Sequence, residues 1–449
     1  MKKLALLLPA LFLAAPASGA TPQDLADQVS QERIRAIVEK LVGFGTRHTL
    51  SSQTDPRRGI GAALKWTQDE FGRYSRACGN CLRIVTPSDV VSGRRVPTPT
   101  KVTNVMAIQR GSVDPNRVVI ISGHIDSRVT DVMNATADAP GANDDGSGTA
   151  AVIEAARVLS KQKFPYTIVY APLTGEEQGL LGGKILADYA KAQGWEVIAN
   201  LNNDIIGNSC SSDGVCDDAH VRVFSEGPRW QGHEDLAARQ RSLGGENDAP
   251  SRNISRWLDG LADDLSLGLD VRQIWRNDRF GRGGDHTELL NAGFPAVRIT
   301  VAIENYNWQH QDLRTENGIQ YGDTIDKMDF PYLTKVVKLN VAALAALASV
   351  PQPPEPTVEG GVATDTTISW KPVKGADSYI IRWRPTDEAN WANSLRVPGS
   401  DVKHVLKSVR VDDFVFGVSS VSRDGYESPV ASAVPGGAFR PYTPPPAQP

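Results

Sequence analysis

Three observations predict an α/β protein, a three-layer sandwich with a mostly parallel central sheet, followed by a small all-β sandwich. Between about residues 102 and 348, short apolar runs alternate with helical patterns, the arrangement that builds a helix-covered sheet. An acidic or histidine residue stands just after several of those runs, where open α/β sheets gather their ligands. The proline-rich stretch 351–356 then ends the pattern, and short alternating segments follow it. At 449 residues and 40% hydrophobic content, the chain is long enough for a large core plus a smaller second unit.

Residues 1–20 join Lys2 and Lys3 to an apolar run and end on the small residues Ser18 and Ala20, which predicts a secretory signal cut before Thr21. The run is shorter than the roughly 20 residues that cross a bilayer, and no later run reads as long and apolar enough to span one. The mature protein is therefore expected to be exported, to the periplasm or the medium.

Residues 21–350 form the first unit. Two helical patterns are visible before about Arg76, with Ile34, Ile37, Val38 and Leu41 at helical spacing. Strands are expected at 117–122, 166–171, 197–201, 221–224 and 296–301, and helices at 146–161, 180–192 and 332–348. Proline at 351–356 breaks the last helix and predicts a stiff spacer, so that the first unit would fold and act alone. Residues 357–436 carry short strands at 366–370, 378–383, 403–406 and 414–420, and 437–449 reads as a disordered tail.

A net charge of −4 with no Lys/Arg tract leaves no basic field for nucleic acid. The four cysteines fall as two close pairs, Cys78 with Cys81 and Cys210 with Cys216. In an exported protein these read as two local disulfides, although Cys78-Gly-Asn-Cys81 also fits a redox pair or half of a zinc knuckle.

The chemistry is carried by His124 and Asp126 in GHIDS, Asp144 in GANDDGSG, Glu176 and Glu177 in TGEEQG, Asp204 in LNNDIIG and His310 in NWQHQD. A pair of dications needs imidazole and carboxylate donors, one shared carboxylate, and a further acid left for proton transfer. His124, Asp144, Glu177, Asp204 and His310 supply one histidine and one terminal carboxylate per metal with Asp144 shared, and Glu176 is left over. Four other histidines, His48, His220, His233 and His404, fall outside these motifs and read as structural or surface residues.

With these motifs, about Leu41 to Ser349 resembles the co-catalytic di-zinc aminopeptidases, relatives of glutamate carboxypeptidase and glutaminyl cyclase. The resemblance implies two zinc ions per chain on His124, Asp144, Glu177, Asp204 and His310. It implies Glu176 as general base toward a metal-bridging water, and Asp126 as the carboxylate that orients His124. Asp285 and His286 in GGDHTELL match a segment that lies near the substrate in the family, with Gly284 in place of its serine. Relatives carry an Asp-Thr close behind the last histidine, whereas here a dozen residues separate His310 from Asp323 and Thr324.

The implied activity is removal of N-terminal residues from peptide or protein substrates. A carboxypeptidase would use an arginine cluster, for which Arg276, Arg279 and Arg282 are candidates. A glutaminyl cyclase would need only one metal, and a non-catalytic binding protein would have lost ligands. The C-terminal unit resembles a fibronectin type III sandwich, through Trp370, Tyr379 and the DGYESP run, and is expected to bind an extracellular partner or polymer.

Overall fold

The computed structural model describes residues 19–229 and 232–444. The proposed signal segment falls mainly on residues 1–18, outside the described residues, as do 445–449 of the tail.

An eight-stranded sheet forms the middle layer. Its order is Leu82–Val85, Met106–Gln109, Tyr166–Leu173, Asp114–His124, Glu196–Asn203, Ala296–Val301, His220–Ser225 and Asp270–Ile274. The four central strands are mutually parallel, and antiparallel pairs occur toward both edges. The unbroken apolar run of residues 118–121 follows from coverage on both faces. Val119 and Ile121 enter the core beneath the helices Gln31–Val42, Gly146–Leu159 and Phe330–Leu347, while Val118 and Ile120 enter a second core with Leu186 and Leu289.

Because the central strands are parallel, His124, the Glu176–Glu177 turn and Asp204 emerge at one edge of the sheet, as expected in this architecture. Gly148 lets the helix Gly146–Leu159 start against that edge: a Cβ there would lie 2.3 Å from the Asn203 carbonyl oxygen. Gly141 turns the preceding loop at φ +51°, in the left-handed region that favours glycine.

Three expectations are corrected. The helix Phe330–Leu347 is long and apolar enough to cross a membrane by length and composition, but it is a core helix, 78% buried inside the protein. The stretch 351–356 is no free spacer: Pro351, Pro353 and Pro354 are buried, and Gln352 donates to Glu196 and accepts from Ser420. The described part of the tail is packed, with Phe439 only 5% exposed and the Tyr442 hydroxyl donating to Asp235 at 2.7 Å. In both segments apolar and aromatic side chains find partners that composition does not reveal.

The C-terminal unit is a sandwich of a three-stranded and a four-stranded antiparallel sheet around Ile368, Trp370, Tyr379, Ile381, Phe416 and Val418. It is docked on the helix Pro250–Leu265. Arg384 of the sandwich bonds both oxygens of Asp248 at 3.0 and 2.7 Å, each side chain being 2% exposed. Trp257 donates to the Glu427 carbonyl across the same interface. Cys78–Cys81 and Cys210–Cys216 are both disulfide-bonded.

Candidate metal centre

Two sets of donors meet around one carboxylate. Asp144 Oδ1 lies 3.2 Å from His124 Nε2, which is 3.8 Å from Asp204 Oδ1. Asp144 Oδ2 lies 2.8 Å from His310 Nε2, which is 3.0 Å from Glu177 Oε1. Each oxygen of Asp144 thus belongs to a different set, and the five residues form two groups able to hold a cation.

The donor chemistry fits a pair of cations. Asp144, Asp204 and Glu177 are buried side by side, and Glu177 Oε1 faces the centre with His310 Nε2 beside it. Isolated carboxylates in that setting are costly, and cations would offset the cost. His124 Nδ1 lies 3.1 Å from the Asp126 carbonyl oxygen, so a proton there leaves Nε2 free toward the centre. Burial pulls His310 down, yet the Glu177 and Asp144 carboxylates outweigh it and push its pKa up to about 10.

Asp126 stands behind the His124 ring and also holds a neighbouring turn. Its carboxylate is 3.6 Å from His124 Nδ1 and is occupied by the backbone N–H groups of Gly175, Glu176 and Glu177 and by the Thr49 hydroxyl. It therefore cradles the turn that presents Glu176 and Glu177. Glu176 lines the cleft, and its pKa is raised well above the ordinary range, first by burial and then by Glu177 and Asp204, against the pull of His124.

Two further acids support the ligand loops without being expected to. Asp145 caps the helix Gly146–Leu159 through Gly148 N–H and also accepts from the N–H groups of His124 and Ile205, joining three ligand loops. Its place before GSG was the available signal. Asp323 accepts from the N–H groups of Asn143 and Asp144, and burial raises its pKa to about 7. Asp323 thus sits against the Asp144 loop despite its distance in sequence from His310.

Two arginines stand behind the terminal carboxylates. Arg298, fully buried, places Nη1 2.7 Å from Asp204 Oδ2, and Arg128 Nε donates to Glu177 Oε2 at 2.8 Å. Each takes one oxygen and leaves the other facing the centre. Arg128 Nη2 is also 2.7 Å from His310 Nδ1, so a cation on Nε2 requires the ring proton to move to Nδ1 and Arg128 to turn aside.

Asp285 and His286 do not reach the cleft. Asp285 accepts from Gly183 N–H, and His286 is fully buried with Nε2 3.0 Å from the Asn277 carbonyl oxygen. Burial lowers the His286 pKa to about 4 and raises that of Asp285 to about 7. The reason is topological: the short helix His286–Asn291 packs its first residue inward, behind Gly283, which does line the cleft. His48 is likewise structural, with Nε2 2.9 Å from the Val132 carbonyl oxygen.

The cleft beside the centre has a volume of about 630 Å³, and Arg95, Arg128, Arg279, Arg282, Tyr306 and Gln309 are among its walls. A buried, carboxylate-bridged double donor set at the carboxyl edge of a parallel sheet, opening on such a cleft, defines the class as a metallohydrolase.

Comparison with known proteins makes this specific. Residues 104–330 match the model of peptidase family M28. A "probable zinc metalloprotease" of Leptosphaeria maculans is 42% identical over 429 residues, covering 94% of this chain and 99% of that protein. One of Pyricularia oryzae is 42% identical over 420 residues, covering 91% of this chain and 83% of that protein. Among solved structures, the LapA aminopeptidase of Legionella pneumophila superposes with a TM-score of 0.54 at 20% identity, covering 78% of this chain and 80% of that one, a likeness of fold. The chain belongs to peptidase family M28 and is a metallopeptidase.

Proposed function

We propose that the protein is an exported aminopeptidase that holds two zinc ions, one on His124, Asp144 and Asp204 and one on Asp144, Glu177 and His310. The observation that carries the reading is the division of the Asp144 oxygens between two complete donor sets. Zinc is favoured by the mixed imidazole and carboxylate donors and by the names of the relatives. When bound, such a pair acts as a Lewis acid on the scissile carbonyl and lowers the pKa of water.

The protein's own groups supply the rest. Glu176 takes a proton from the attacking water and passes it to the leaving amine; its elevated pKa in the metal-free protein suits an acid that must hold a proton in mid-cycle. Asp126 fixes the turn that aims Glu176, and Arg298 and Arg128 keep Asp204 and Glu177 turned toward the centre.

The arginine cluster favours an aminopeptidase over a carboxypeptidase. Arg279 uses its donors on Asp278, Glu304 and the Gly283 carbonyl, and Arg282 bonds the same Glu304. Arg279, already matched to buried acids, has little left for a C-terminal carboxylate, and Arg276 does not line the cleft. A one-metal glutaminyl cyclase would leave the second donor set without use. For the C-terminal unit we favour a fibronectin type III-like role in binding an extracellular partner or polymer, supported by its two-sheet architecture.

The test is elemental analysis of the active protein together with cleavage of aminoacyl, N-blocked and C-terminally free peptides. Two zinc ions per chain are expected, with activity lost on chelation, restored by zinc, and confined to substrates with a free N-terminus. One metal or none in an active preparation would overturn the di-zinc reading, and cleavage of N-blocked peptides at their C-terminus would overturn the aminopeptidase reading.

A further inference from the structure

The segment 275–283 leaves the edge strand Asp270–Ile274 and gives Arg279, Gly281, Arg282 and Gly283 to the cleft wall. Its far end is held inside the catalytic unit, where Arg279 bonds Asp278 and Glu304. Its root is held differently. Trp275 lies beneath the guanidinium groups of Arg252 and Arg256, 5.1 and 4.9 Å from the ring centroid. Arg256 is in turn fixed from the C-terminal sandwich: its Nε donates to the Ala389 carbonyl at 2.6 Å, and its guanidinium faces the Trp391 ring at 5.8 Å. Arg384, locked on Asp248, faces the same ring at 5.2 Å. Gln273, two residues before Trp275, donates to Asn390 Oδ1 at 2.8 Å.

Three consecutive sandwich residues, Ala389, Asn390 and Trp391, therefore grip the root of the cleft wall. We propose that this sandwich loop positions the substrate-facing segment 275–283, with Trp391 a positioning residue that acts through Arg256 and Trp275. The C-terminal unit is thereby part of the substrate-binding apparatus. Aromatic faces on either side hold a guanidinium in place, and a wall anchored at both ends keeps substrate groups in register with the reacting centre. The proposed ligands and Glu176 leave other strands, and the link from 275–283 to a ligand, through Arg298 to Asp204, runs from Asp278 and Gly283 at the far end rather than from the gripped root. Loss of the grip should therefore loosen substrate binding more than it slows chemistry.

This inference rests on the reading of the cleft as the substrate site. It is tested in the full-length protein by steady-state kinetics on one aminoacyl substrate, metal content, and amide hydrogen exchange over 275–283. Trp391→Ala is expected to raise KM at least fivefold while kcat stays within twofold and metal content is unchanged. Exchange over 275–283 should accelerate, and Trp391→Phe should restore most of both effects. Should Trp391→Ala fail to fold, Asn390→Ala, which removes the bonds to Gln273 and Asp259, should shift KM and exchange the same way by a smaller factor. Gln240→Ala breaks a different interface bond, to the Pro435 carbonyl, and should leave KM and the exchange of 275–283 alone. Unchanged exchange and KM in folded Trp391 and Asn390 variants, or equal shifts in Gln240→Ala, would overturn the proposal. A wild-type protein with no aminopeptidase activity would count against the functional reading, and the exchange comparison would still decide this one.

Discussion

The metal centre and the docking interface of the sandwich both bury charge, but they handle it in opposite ways. At the interface, Asp248 meets Arg384 through two bonds, and the Ser432 hydroxyl adds a third. At the centre, the carboxylates of Asp204 and Glu177 crowd around Asp144, and each is matched by an arginine through one oxygen only. Buried charge that is matched by its own chain holds a structure together. Buried carboxylates that are each matched through one oxygen, with the other oxygens converging on two histidines, leave a set of donors suited to a ligand that the chain does not encode.

The largest effect that would sharpen this contrast is at Glu176. Glu176→Gln keeps the shape of the side chain and removes its basicity, so kcat should fall about 10²- to 10⁴-fold with metal content and folding stability unchanged. Metal loss in this variant equal to that in Glu177→Gln would mean that base and ligand are misassigned.

The interface should respond in the reverse sense. Asp248→Ala strands Arg384 and is expected to cost about 3–5 kcal/mol of stability, as for a broken buried pair, with zinc content retained in the folded fraction. The pair change Asp248→Leu with Arg384→Met should recover much of the loss. Urea unfolding of the three proteins checks this, and a single variant as stable as the parent would show that the pair does not carry the docking. The same interface implies that a chain cut near Val350 exposes the sandwich-facing surface of the helix Pro250–Leu265, against the expectation from the proline stretch.

The smallest effect is on pH dependence. The Glu177 and Asp144 carboxylates push His310 up from 6.5 to about 10 when no metal is bound, so its contribution to stability should be complete below about 6.5 and lost as pH rises through 10. Asp285 and Asp323, raised from 3.8 to about 7, act in the same direction, since the folded state binds their protons more tightly and loses that advantage as pH climbs through 7. Chelated protein should therefore unfold at lower urea at pH 9 than at pH 6. Added zinc should weaken or reverse the trend, because it binds the deprotonated ligands. A chelated protein more stable at pH 9 would show that these groups do not govern the centre.

The candidate ligands were legible because each lies in a short polar motif at or soon after a strand, and the chain order of such motifs survives folding. The central strands were legible for a related reason: apolar runs such as 118–121 have to be buried on both faces. The helix Pro250–Leu265 is absent from the expectations although Ile254, Leu258, Ala262 and Leu265 recur at helical spacing, whereas the edge strand Asp270–Ile274 has only two apolar residues to mark it.

By itself the sequence determined the layered α/β architecture and which acids and histidines stand at the edge of the sheet, because both follow from local periodicity and position along the chain. Only the tertiary structure decided which oxygen of Asp144 serves which donor set, that Arg298 and Arg128 stand behind Asp204 and Glu177, and that His286 faces inward. It also decided that Arg384 closes on Asp248 across 136 residues of chain. Those outcomes depend on the direction of a side chain and on a partner distant in sequence, and neither leaves a mark on the residues beside it.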